Sequence, residues 1–303
     1  MIKTLFSFDY SAHARFVAPA RDSAEIWRLL LGLIMTMVII FISAPVIWPV
    51  LATILSEDAY LRLYADFESV LLPQTLLLIL FSFGFVWISV AIVVVLVHRR
   101  RPETLIGPPT IAFLQAKFVI VALLLVMVAM LLLPPYGYAP ALEDGLPFGR
   151  WLLFLVPALL AVFVQTSAEE VLFRGYLQQQ LAARFDHPVI WLLLPSVLFG
   201  LAHYAPDTYG SNTWLVVIWA GFFGIFAADL TARSGTLGPA IALHIATNVS
   251  ALLLIAPQGE MSGLALFQHG FSAADEEAVR AYLPIDFAVM LVSWLAARLA
   301  LRR

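Results

Sequence analysis

The sequence predicts an all-α, polytopic membrane protein with about eight transmembrane helices and both termini in the cytoplasm. Two observations carry most of that reading. Of 303 residues, 62% are apolar and only 12% are charged, against roughly a quarter charged in ordinary soluble domains. The apolar residues also fall into repeated runs near the ~20 residues that a helix needs to cross hydrocarbon. A soluble fold of this size has no core large enough to hide them. A third observation, the placement of Lys and Arg, orients the spans.

The first apolar run begins near Trp27 and reaches Leu55, too long for the core of a cleaved signal peptide, so it is expected to remain as the first span. Further runs follow from Leu72 to Val97, Ile111 to Leu133 and Trp151 to Gln165. The last four run from Val189 to Tyr204, Thr213 to Ala232, Leu237 to Ala256 and Leu283 to Leu301. The fourth reaches full length if its helix continues to about Arg184. With the N-terminus inside, fourteen of the seventeen Lys and Arg, from Lys3 to Arg303, face the cytoplasm, and only Arg62, Arg150 and Arg280 lie outside. Trp27, Trp48, Trp151, Trp191 and Trp214 sit near span ends, where indoles favour the headgroup boundary. Residues 1–150 read as a scaffold of three spans, 151–254 as the functional core, and 255–303 as an outer loop with the last span. The stretch from Ala256 to Ala281 is expected to hold a short surface helix. There is no Cys, which excludes disulfides, thiolate nucleophiles and Cys-based zinc sites.

Ionisable groups inside a bilayer are costly, and those that persist face a polar interior. Here they cluster in the second half: Glu169, Glu170 and Arg174, then His203, then His244 with Asn248. Counted from the cytoplasmic ends of their helices, Glu169 lies ~22 Å and His203 about 24 Å into the membrane, at 1.5 Å per residue. His244 and Asn248 lie roughly 12 to 18 Å in by the same rise. Four polar groups from three helices therefore meet near one level. Glu170 and Arg174, four apart, share a helix face and read as a structural ion pair. Glu169, turned about 100° away, is left free for chemistry. Phe199 shares a face with His203 and is placed to pack against its ring. A buried carboxylate beside an imidazole can hold and deprotonate a water. His244 and Asn248, also four apart, can both donate to a developing oxyanion. Alternatively, Glu169, His203 and His244 could hold a catalytic zinc with one open position.

These residues stand in three motifs. Glu169-Glu170-Val171-Leu172-Phe173-Arg174 resembles E-E-x-x-x-R, Phe199-Gly200-Leu201-Ala202-His203 resembles F-x-x-x-H, and His244-Ile245-Ala246-Thr247-Asn248 resembles H-x-x-x-N. In that order they resemble the CPBP family, which groups type II CAAX prenyl endopeptidases with bacteriocin-processing and Abi proteins. The resemblance covers about Trp151 to Leu254. It implies an eight-helix intramembrane endopeptidase, and the inside cluster of positive charge points to a plasma (inner) membrane. It further implies that Glu169 and His203 activate water, that His244 and Asn248 form the oxyanion site, and that Glu170 partners Arg174. The substrate it implies is a peptide or protein entering from the membrane or cytoplasmic side; no nucleic-acid partner is expected. Zinc is the only cofactor the motifs suggest, and relatives divide between glutamate proteases and metalloproteases.

Other polar residues take plainer readings. Asp229 reads as interfacial or capping, and Gln165, Thr166 and Ser167 as makers of hydrogen bonds between helices. His98 with Arg99 to Arg101 reads as a topology signal and anionic-lipid contact, and Gly221 and Gly224 as points of close helix approach. Neither H-E-x-x-H nor G-x-S-x-G is present. A proton-coupled transporter would show related halves, whereas the polar set here is confined to one. The remaining competitor is a non-catalytic membrane adaptor or bacteriocin-immunity-type protein on the same fold.

Overall fold

A computed structural model describes residues 9–132 and 142–302. Lys3, Arg303 and the end of the third expected span at Leu133 lie outside the described residues. The chain forms helices at all eight expected places: α1 (Ile26–Ile54), α2 (Pro73–Leu96), α3 (Pro109–Leu132), α4 (Phe148–Arg184), α5 (Pro188–Leu201), α6 (Thr213–Ser234), α7 (Gly238–Leu254) and α8 (Glu276–Leu301). Among the described residues, six helical stretches, those of α1 to α4, α6 and α8, are long and apolar enough to cross a membrane, while α5 and α7 are shorter. With no water at hydrocarbon depth, the backbone must satisfy its own hydrogen bonds, and long apolar runs close into helices. Prolines near the first turns of α2, α5 and α7 suit positions where the missing N–H has no helical partner. Gly235 stops α6 in the left-handed region (φ 73°), where its N–H bonds the Thr231 carbonyl.

The outer surface is apolar. Phe41 on α1, Leu131 on α3 and Leu153 on α4 are 81%, 73% and 75% exposed, which water would penalise and lipid does not. The protein is a multi-pass integral membrane protein. α4 runs unbroken for 37 residues, as the full-length reading of the fourth span requires. α5 has 14 residues, about 21 Å of helix against a hydrocarbon core of ~30 Å. It stops at Leu201, so His203 stands in the turn beyond its end.

Four helices carry the interior. α5 packs along α6, and α7 lies against α3, α4 and α6, with α8 beside α3 and α6. α1 and α2 cover the other side of α4. The α5–α6 contact depends on small residues: a side chain at Gly200 would meet the Val217 carbonyl at 2.6 Å, and one at Gly224 would meet Ser196 at 2.9 Å. Such residues let backbones approach closely where the hydrophobic effect gives helices no reason to associate. Phe199, Phe223, Leu230 and Leu243 fill the space between α5, α6 and α7.

Four expectations need correction. The stretch from Ala256 to Ala281 holds no surface helix before α8; it forms strands β2 (Ile255–Gln258) and β3 (Phe267–Ser272). β3 pairs antiparallel with β1 (Leu142–Asp144) and parallel with β2. Pro257, Gly259 and Gly263 interrupt any helix there. Asp229 is buried, not interfacial. It accepts from Arg233 Nε at 2.8 Å, from the Tyr10 hydroxyl at 2.9 Å and from Trp294 Nε1 at 3.0 Å, tying the N-terminal segment and α8 to α6. One of the boundary indoles is also internal: Trp191 is buried, its ring tilted by 40° against that of His13 at 4.4 Å between centres.

His98 is the fourth correction. It is buried at the junction of the N-terminal segment and α4, bonded to Ser23 Oγ at 3.0 Å and to the Tyr176 hydroxyl at 2.9 Å. Burial, with repulsion from Arg100 added, pushes it down to about 4, and burial alone does the same to His13. His13 Nε2 accepts from Gln178 at 3.4 Å, which needs the neutral ring. Both histidines regain an ordinary value near 6.5 on unfolding. The unfolded chain therefore binds more protons between those values, and stability falls as pH drops through that window. Thermal melts in detergent at pH values from about 7 down to about 4.5 should show a falling melting temperature, with a shallower slope in His98→Gln.

Candidate active site

α4 and α7 bring six polar side chains into one network, and α6 adds a backbone carbonyl. Glu169 and Glu170 end the α-helical part of α4, and the next eight residues, Val171–Gln178, form π-helical turns. Such turns are rare and frequently mark functional sites, because they re-aim the side chains around them. α7 does the same two residues past Asn248, over Ser250–Leu254. Both motif helices therefore leave regular α geometry beside their polar residues.

Glu170 and Arg174 are 0% exposed and lie 3.0 Å apart, the ion pair their spacing predicts. The same Glu170 oxygen accepts from His244 Nδ1 at 2.8 Å. Glu170 thus joins α4 to α7 as well as pairing within its own helix. Arg174 also donates to the Gly224 carbonyl of α6 at 3.2 Å, and its guanidinium lies 4.7 Å from the Phe199 ring centre. A carboxylate of its own helix, a carbonyl of α6 and an aromatic face of α5 hold this cation.

Glu169 faces the other side of the imidazole. Its Oε2 is 3.6 Å from His244 Nε2, just beyond hydrogen-bond length, and is buried without a hydrogen-bond partner. Its Oε1 accepts from Gln165 Nε2 at 2.6 Å. Gln165 in turn accepts from Asn248 Nδ2 at 2.7 Å. The order across the site is Arg174, Glu170, His244, Glu169, Gln165, Asn248. The His244 ring is walled by Phe223 at 4.8 Å and Phe199 at 6.0 Å between ring centres.

His203 stands apart. Its Nδ1 donates to the Phe199 carbonyl at 2.8 Å, so in the neutral ring Nε2 is left as an acceptor. Its ring packs on Phe199 at 4.8 Å, as the shared face predicts. Phe199 lies against both His203 and His244, and His203 makes no hydrogen bond or ion pair with Glu169. Among the described residues, no three His, Asp or Glu side chains group closely enough to hold a metal ion. The donor set Glu169, His203 and His244 is therefore not assembled around one point. Sequence reasoning assigned Gln165 only a helix-linking role and did not foresee its bond to Glu169. Its position four residues before Glu169 is the signal that points to it.

Residues 150–250 match the Rce1-like family, described as "Type II CAAX prenyl endopeptidase Rce1-like". The matched segment runs from the start of α4 into the end of α7 and contains every polar residue of the site. The resemblance read from the three motifs is thereby shown for this segment. One curated relative, the uncharacterized protein YyaK of Bacillus subtilis (strain 168), is 30% identical over 118 residues. That alignment covers 38% of this chain and 38% of the relative's own length. No solved structure matches the chain.

Replacing Arg174 with Met leaves Glu170 buried and unbalanced, a loss of about 3–5 kcal/mol for a broken buried pair. The melting temperature should fall sharply. The double variant Glu170→Gln/Arg174→Met should recover much of it, because no net charge is stranded. If the single and double variants melt alike, the pair does not carry the stability assigned to it.

Proposed function

We propose that this protein is an intramembrane endopeptidase that hydrolyses a peptide bond with a water activated by Glu169. The observation that carries the reading is the unpartnered Glu169 Oε2, 3.6 Å from His244 Nε2. Glu170 Oε2 also lacks a partner, but Glu170 is 0% exposed and bound to Arg174 and His244 through Oε1, whereas Glu169 is 14% exposed. A carboxylate held in place with one oxygen free is suited to take a proton from water. The match of residues 150–250 to an endopeptidase family supports the same reaction class.

In this reading Glu169 accepts a proton from water as the hydroxide oxygen bonds to the substrate carbonyl carbon. The C=O pair moves to oxygen, and the oxyanion receives hydrogen bonds from His244 Nε2–H and the second Asn248 amide hydrogen. Collapse breaks the C–N bond, and Glu169 returns its proton to the leaving amine. Glu170 holds His244 by Nδ1, so Nε2 keeps its direction while charge develops. His203, fixed on the Phe199 carbonyl, offers Nε2 to hold the incoming water or peptide. α5 ends after 14 residues, so His203 lies past its last turn, and the substrate is a peptide entering from the membrane or cytoplasmic side. The prenylated Cys-a-a-X tail in the family's description is the first substrate class to try beside plain peptides.

The test is cleavage of a fluorogenic peptide library, prenylated and plain, by purified wild type and Glu169→Gln, each with and without a chelator. Wild type should cleave, and Glu169→Gln should lose about 10²–10⁴-fold in rate while melting like wild type. The chelator should have no effect. Undiminished turnover in Glu169→Gln would overturn the glutamate mechanism, and loss to chelator alone would move it to a metal. A wild type that cleaves nothing, with a Glu169→Gln variant that preserves its cellular phenotype, would make it an adaptor.

A further inference from the structure

We infer that Gln165 is a positioning residue for catalysis, acting on Glu169 and Asn248 together. The inference rests on the proposed peptidase reading and adds to it how the base and the oxyanion donor are kept in register. Gln165 is 6% exposed and lies one turn before Glu169 on α4. Its single amide plane is used at both ends: Nε2 donates to Glu169 Oε1 at 2.6 Å, and Oε1 accepts from Asn248 Nδ2 at 2.7 Å.

This arrangement does three things that the motif residues do not do for themselves. First, it occupies one oxygen of Glu169, so the other, which has no hydrogen-bond partner, is the one that faces His244. Second, it settles the amide orientation of Asn248. The Nδ2 group must face Gln165, which leaves its second hydrogen for a substrate oxygen. Third, it spans α4 and α7, so the distance between base and oxyanion donor is set by one rigid group. Nε1 of Trp151, also on α4, bonds the Leu253 carbonyl of α7 at 2.7 Å and fixes the same pair of helices further along. The helix crossing therefore does not depend on Gln165 alone.

That second tether separates positioning from mere structure. Gln165→Leu keeps the volume and removes both bonds. Its expected effect is a loss of about 10- to 100-fold in kcat, with KM within about two-fold and a nearly unchanged melting temperature, since Trp151 still holds α4 to α7. Gln165→Glu keeps an acceptor for Asn248 but sets a second carboxylate against Glu169. One of two such carboxylates retains its proton to higher pH, so the acidic limb of the rate profile should move to higher pH. A helix tether without a catalytic role would move neither kcat nor that limb.

The peptide identified in the library assay is the probe, with Glu169→Gln as the inactive reference. A second readout needs no substrate: the Glu169 carboxylate stretch, isolated by subtracting the infrared spectrum of Glu169→Gln, should shift in Gln165→Leu. Retention of wild-type kcat and of the wild-type pH limb in both Gln165 variants would overturn the inference while leaving the peptidase reading intact. An unshifted carboxylate band would overturn it even if wild type cleaved no peptide, an outcome that by itself counts against the peptidase reading alone.

Discussion

The arrangement depends on one buried carboxylate, Glu170, which has no exposure to solvent and sits in the middle of a helix that crosses the membrane. An isolated charge at that depth is strongly disfavoured, so its oxygen must be matched. Arg174 matches it from the same helix and His244 from α7. Each partner is then constrained in turn: Arg174 by the Gly224 carbonyl and the Phe199 face, His244 by Phe223. The ion pair that spacing alone makes a matter of local stability thus determines which way the imidazole of a second helix points. Glu169 gains its place opposite His244 as a consequence.

The bundle around this network is built to allow it. Small residues at Gly200 and Gly224 bring α5 and α6 together closely enough for the Gly224 carbonyl to reach Arg174. α5 then ends early, which leaves His203 in a turn at the margin of the apolar interior. On the opposite side, His13, His98, Gln178, Gln179 and Gln180 bond the N-terminal segment onto the far part of α4.

Much of this was legible in the sequence. Eight apolar runs map onto eight helices because a bilayer permits few alternatives to a helix. The continuation of α4 to Arg184 was the condition that gave the fourth span its full length, and the helix does run to Arg184. The Glu170–Arg174 pair and the Phe199–His203 contact followed from their four-residue spacing. What spacing cannot supply is the rotation of a side chain beyond a helix end or beside a π turn. His203 was expected next to Glu169, yet it lies past the last turn of α5, where the Phe199 carbonyl takes its Nδ1. Gln165 was read as glue because an amide in an apolar helix bonds whatever reaches it. The strands from Ile255 to Ser272 were missed because each is short, and β3, which pairs with β2, takes its other partner from the distant β1.

The central claim is that Glu170 and His244 act as one unit across α4 and α7, and a double-mutant cycle tests it most directly. Unfolding free energies in detergent would be measured for wild type, Glu170→Gln, His244→Phe and the double variant. The account predicts that the two losses are not additive, with a coupling of at least about 1 kcal/mol. Additivity within about 0.3–0.5 kcal/mol would mean that the two residues are independent, and that the imidazole is oriented by something other than this carboxylate.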